Sequence, residues 1–207
     1  MAAGEAVLQR AEALSGAVDH GLVELCRRGD PEAFARLVAI HEGMVYNLAA
    51  RLLSDPEEAR DLAQDVFLQV YRQLARFEGR SSLRTWIYRI VVNTSRNRRR
   101  WWKRRVRDRS CNLDDLSARD EARLVHAEAS PHVRLEQREK GRRVQAALEK
   151  LSFDHRAILL LREVEGLSCE EVSRALGIAE GTVKSRLARA REAFRAALAK
   201  VDEGGRW

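Results

Sequence analysis

Prolines are scarce in this chain, three in 207 residues, as are cysteines, also three, and aromatic side chains at 6%. Cys26, Cys111 and Cys169 are odd in number and far apart, with no CxxC spacing and no histidine at a zinc-ligand offset. That pattern excludes a disulfide scaffold and a zinc finger and predicts ordinary reduced thiols. No apolar stretch approaches the roughly 18–20 residues that a membrane span requires; the run from Ile158 to Leu161 is the strongest. Glu5, Arg10 and Glu12 interrupt the apolar N-terminal residues, so a signal-peptide core is missing. The expectation is a soluble cytoplasmic chain with no membrane insertion.

Enzymatic signatures are missing as well. The sequence holds no P-loop, no G-x-G-x-x-G and no Ser or Cys in a nucleophile setting. Its five histidines are dispersed, and His41 falls on an apolar stripe, where a packed core residue is the expectation. No catalytic residue, metal site, cofactor or small-molecule substrate is predicted.

What is present is charge and helical periodicity. Lys and Arg total 38 against 31 Asp and Glu, a net charge of +7 that suits a polyanionic partner. Ala, Leu, Arg and Glu dominate and no segment alternates with period two for long, so the fold class is all-α. Pro31, Pro56 and Pro131 each follow an N-cap residue (Asp30, Asp55, Ser130) and mark helix starts. Phe34, Leu37, Val38, His41, Val45, Leu48 and Leu52 form one stripe, and Leu62, Val66, Phe67, Val70, Tyr71 and Leu74 a second. Leu83, Trp86, Ile87, Ile90 and Val91 form a third.

The predicted organisation is an unassigned extension over 1–19, a helical domain over 20–105 and a flexible linker over 106–132. A second helical domain covers 133–200 and a tail 201–207. In that second domain Val133, Val144, Ala147, Leu148 and Leu151 share an apolar face. Ser168 with Glu171 reads as a capping box, and Gly177 as a left-handed cap. These features make residues 168–194 a helix-turn-helix. Val183, Leu187, Ala190 and Phe194 turn inward, which leaves Thr182, Ser185, Arg186 and Arg189 outward, flanked by Lys184 and Arg191. Such groups suit base edges and phosphates; the competing reading is an ordinary solvated helix.

Residues 96–109 hold nine cations in fourteen positions, with Trp101 and Trp102 among them. Arg96, Arg98, Arg99, Arg100 and Lys103 read as a nucleic-acid contact, or as a basic face with a tryptophan in the core. The two indoles lie about 100° apart on a helix, so at most one points fully inward. Glu57, Glu58, Asp61 and Asp65 open the second helix beside Gln64, Phe67 and Tyr71. The helix dipole accounts for the first two, and the rest suits docking on a basic partner helix.

Residues 61–68 (DLAQDVFL) and 77–93 (FEGRSSLRTWIYRIVVN) resemble region 2 of bacterial sigma factors. Residues 166–172 and 181–191, the latter GTVKSRLARAR, resemble region 4. Two such regions with only a linker between them are similar to the extracytoplasmic-function (ECF) group. The resemblance implies a transcription initiation factor that binds core RNA polymerase and promoter DNA, with an anti-sigma protein as a further partner. It implies that Asp61, Gln64, Asp65 and Phe67 grip the polymerase. Gly79, Arg80, Ser81, Ser82 and Leu83 would form the loop that captures a flipped −10 base, beside Trp86, Arg89 and Asn93. Thr182, Lys184, Ser185, Arg186 and Arg189 would read the −35 element. Ala188 stands where some relatives carry a larger side chain. An autonomous helix-turn-helix regulator is the alternative; it leaves the acidic face of the first domain without a role.

Overall fold

The computed structural model describes residues 21–108 and 131–204, and those residues form a bundle of helices. The extension over 1–19, most of the linker and the last three residues lie outside them. Helix α1 covers 21–27, α2 Pro31–Leu53, α3 Pro56–Gln73 and α4 Leu83–Asp108. In the second domain α5 spans Pro131–Glu149, α6 Phe153–Leu159, α7 Cys169–Leu176 and α8 Glu180–Gly204.

Local chemistry sets these boundaries. Asp30 Oδ1 accepts from the Glu32 and Ala33 amides at 2.9 and 3.2 Å, ahead of Pro31 at the first helical position. Asp55 does the same for Glu57 and Glu58 at 2.9 and 3.1 Å, ahead of Pro56. Each carboxylate satisfies amides that no helical carbonyl reaches, and truncating such a cap costs about 1 kcal/mol. The capping box on α7 is complete, and Gly177 closes that helix at φ 65°. A turn of π-helix, Leu160–Val164, follows α6 and hands the chain to Glu165, whose amide donates to Leu160 O at 2.9 Å.

Helices α2, α3 and α4 bury Leu37, Val45, Leu48, Leu62, Val66, Val70, Ile87 and Val91 between them. Removing a Leu side chain from such a core costs about 2–5 kcal/mol. His41 is buried there, as its stripe predicts. The second domain closes over Leu148, Ile158, Leu161, Val172, Val183 and Leu187. Val144 departs from the expected apolar face and is exposed.

The domains also pack on each other, which the sequence did not disclose. α4 lies along α7, and α6 touches α2. The buried Arg156 of α6 joins them: its Nε and Nη2 donate to Leu148 O and Glu149 O, both at 2.9 Å. Nη1 crosses to Leu52 O at 2.9 Å and Ser54 Oγ at 3.3 Å. One guanidinium therefore caps the ends of α5 and α2. Burial, with repulsion from Arg99, lowers its pKa to about 10, so it is charged at neutral pH.

Candidate polymerase and promoter interface

On α3, Asp61, Gln64 and Asp65 are exposed, whereas Phe67 is 9% exposed and belongs to the core. The 100° step per residue explains this correction. Leu62, Val66 and Val70 define the inward direction, and Phe67 falls at the edge of that stripe. Leu68 lies opposite, seven residues after Asp61 and four after Gln64. The apolar part of the acidic face is therefore Leu68, exposed at 53%, with Tyr71 at 61%, whose ring meets Phe34 edge-on. Arg98 of α4 faces this helix, 3.0 Å from Glu58 and 4.0 and 3.9 Å from Asp61 and Asp65. Arg98, expected to contact DNA, ties α4 to the acidic face in this structure.

Different faces of α4 meet different surroundings. Trp86, Arg89 and Asn93, at steps of three and four, share one: Arg89 and Asn93 are exposed, and Trp86 is half-buried against Phe77 with ring centroids 5.2 Å apart. Before them runs the loop from Gly79, whose φ of 69° favours glycine. Arg80 is exposed and pairs with Glu78 at 2.6 Å, and Ser81 donates to Ser82 O at 3.3 Å. Ser82 Oγ accepts from the Thr85 amide at 3.1 Å, capping α4. Leu83 is buried: it anchors the loop rather than lining an open base pocket.

A second face, carrying Arg84, Thr85 and Tyr88, turns to the other domain. The fully buried Tyr88 hydroxyl donates to Glu165 Oε2, and Arg84 donates to that hydroxyl at 3.1 and 3.0 Å. Burial, then the bond to Glu165, pushes the Tyr88 phenol above its ordinary range. Sequence reasoning missed this network because polar residues at helical spacing look like a solvated face.

The basic end of α4 divides similarly. Arg96 reaches Asp154 at 3.1 Å, and Arg96 and Arg99 stand 5.4 and 5.9 Å from the Phe153 ring. Arg100 is exposed. Trp101 and Trp102 are both 44% exposed and meet edge-to-face, with Arg105 over Trp101 at 4.5 Å, so neither points fully inward. The Lys103 side chain lies outside those described.

On α8, Val183, Leu187 and Ala190 are buried, and Thr182, Lys184, Ser185 and Arg189 are exposed. Lys184 pairs with Glu180 at 3.0 Å, which raises its pKa. Arg186 is half-buried, 3.9 Å from Asp154, and Arg191 reaches Glu163 at 2.6 Å. Of the five expected reading residues, Lys184 alone forms an ion pair within α8, and Arg186 is turned toward Asp154 of α6.

A helix-turn-helix and a helical bundle with an acidic face and a basic helix end are combined here. Residues 37–107 match the family model for Sigma-70 region 2, and residues 141–194 that for Sigma-70 region 4. The chain belongs to the sigma-70 family. It is 37% identical over 180 residues to the RNA polymerase sigma-H factor of Pseudomonas aeruginosa, covering 87% of this chain and 93% of that one. It is 33% identical over 174 residues to the ECF RNA polymerase sigma-E factor of Haemophilus influenzae, covering 84% and 92%. The solved structure of the sigma factor RpoE with the anti-sigma factor NepR from Bartonella quintana matches with a TM-score of 0.64 at 25% identity, covering 80% of this chain and 96% of that one.

This sigma factor is therefore of the ECF group and directs RNA polymerase to promoters. Among the described residues of the sigma factor, no three His, Cys, Asp or Glu residues cluster to hold a metal ion, and no helix is long and apolar enough to cross a membrane.

Proposed function

We propose that the sigma factor acts in the cytoplasm without chemistry of its own, dividing promoter recognition among three surfaces. Asp61, Gln64 and Asp65, with Leu68 and Tyr71 as apolar neighbours, dock on core polymerase. The Gly79–Ser82 segment, Trp86, Arg89 and Asn93 handle the −10 element, and the basic end of α4 neutralises adjacent phosphates. Thr182, Lys184, Ser185, Arg186 and Arg189 read the −35 element. The observation that carries this reading is the exposure of Arg89 and Asn93 on one domain and Ser185 and Arg189 on the other, each set on a single helix face.

The domains separate in use. Elements centred near −35 and −10 lie about 25 base pairs apart, or about 85 Å at 3.4 Å per step. A compact chain of this length has a radius of gyration of about 17 Å, too small to reach both. The contact between α4 and α7 thus belongs to a resting form, and an anti-sigma protein that favours it is the expected antagonist. Runoff transcription with purified core polymerase over a promoter library tests the assignment. Promoter-specific transcripts that require both domains are the expected result. Tight specific binding to naked duplex, without polymerase, would instead indicate an autonomous regulator.

A further inference from the structure

A cavity of about 510 Å³ lies between the two domains, and its arginines come together only in the compact form, in which they hold no promoter DNA. Its lining alternates between them: Arg96, Arg99 and Arg100 come from α4, and Phe153, Asp154, Ile178 and Arg186 from the second domain. Four guanidinium groups face a single carboxylate there. Asp154 is shared between Arg96 at 3.1 Å and Arg186 at 3.9 Å, which leaves Arg99 and Arg100 without a carboxylate among the described residues. Arg99 Nη1 is shielded from solvent and has no hydrogen-bond partner. Arg156 stands close enough behind it for the two cations to repel. Such an arrangement is short of negative charge and of acceptors at one defined place.

We infer that this cavity is a site for a nucleoside oligophosphate that bridges the two domains. The volume falls within the roughly 300–1,000 Å³ typical of small-molecule sites and is too small for a duplex. Guanidinium forks match phosphate oxygens two at a time, so several phosphates on one ligand answer the surplus of cations. Phe153 and Ile178 offer an apolar wall to a base, and Asp154 an acceptor for a sugar hydroxyl or exocyclic amine. Because its contacts come from both domains, the ligand binds the compact form and not the extended one. It is thereby an effector that holds the factor at rest, since a ligand favours the state it binds in proportion to its differential affinity.

Calorimetry on the full chain at 150 mM salt, with GTP, guanosine and tripolyphosphate as separate titrants, tests the site. One GTP per chain is expected, with tripolyphosphate binding more weakly and guanosine not at all. Arg99→Gln and Arg100→Gln should each weaken GTP at least tenfold, as should Ile178→Asp, which sets a carboxylate against the phosphates. Arg100 is exposed, so its variant keeps the fold, and Arg105→Gln, outside the cavity, should bind as the parent does. Small-angle scattering should show GTP lowering the radius of gyration of the chain in solution. The inference is overturned by binding that the three cavity variants leave unchanged, by several equivalents bound, by no saturation below millimolar GTP, or by expansion on binding. None of these results bears on promoter selection, so the runoff assay stands apart from this one.

Discussion

The Thr85 hydroxyl on α4 donates to Glu171 Oε1 on α7 at 3.3 Å, while the other oxygen of that carboxylate accepts the Ser168 amide at 2.8 Å. One side chain thus completes the helix-turn-helix cap and touches α4 of the other domain. The two roles separate by mutation. Glu171→Ala should destabilise the second domain by about 1 kcal/mol through the lost capping box. Thr85→Val should leave that domain's stability intact and weaken only the contact between domains. Thermal melting together with small-angle scattering checks both, and identical behaviour of the two variants would refute the separation.

Arg156→Met is expected to loosen the compact form most. Bonds to a charged donor contribute about 1.5–3 kcal/mol each, and four acceptors lose their partner. Two of them, Leu52 O and Ser54 Oγ, belong to the other domain, so the radius of gyration should rise while helix content by circular dichroism holds. A globally unfolded variant, or one as compact as the parent, contradicts this.

Leu68→Arg should weaken binding to core polymerase without lowering the melting temperature, because the side chain is exposed on the acidic face. Phe67→Ala should do the reverse, costing about 3–5 kcal/mol of stability as a core truncation. Pull-downs with purified polymerase, beside thermal melts, distinguish them. If Leu68→Arg leaves polymerase affinity unchanged, the docking face lies elsewhere.

Arg189→Ala should relax discrimination at one −35 position by about 1–3 kcal/mol, with Lys184→Ala lowering affinity more evenly across sequences. Binding of holoenzyme to a set of −35 variants measures this. A uniform loss for Arg189→Ala would assign it to the backbone.

Asn93→Ala should preserve polymerase binding and reduce strand opening, read as lower permanganate reactivity of thymines near the start site. Arg89 and Trp86 share its face, so opening that proceeds at the parental level would remove the −10 role from that whole face of α4.

Much of this fold was legible because local chemistry agrees with the global arrangement. Asp30 before Pro31 and Asp55 before Pro56 announce helix starts, and Ser168 with Glu171 announces the cap that forms. Where sequence reasoning failed, the cause was periodicity at the edge of a stripe, or charge that pairs over long separation. Phe67 and Leu68 are neighbours 100° apart, and the larger aromatic drew attention although Leu68 holds the exposed direction. Arg98 belongs to a run of nine cations, and nothing in that run marks it as the one facing three carboxylates some forty residues earlier. Arg156 reads as one cation of a short helix until the ends of α2 and α5 are placed around it. Contacts between domains are invisible to any pattern confined to a window.

The position of Arg156 has a consequence in time as well as in space. It sets one positive charge where the negative ends of two helix dipoles converge, and a cation there steadies the last turn of each. When the domains part, α2 loses that cation while α5, which shares a domain with α6, keeps it, so the end of α2 frays alone. Amide exchange at Leu52, Leu53 and Ser54 should therefore quicken while exchange at Glu149, Lys150 and Leu151 holds its rate. That contrast between two signals, nearly a hundred residues apart in the chain, would date each opening before any promoter is touched.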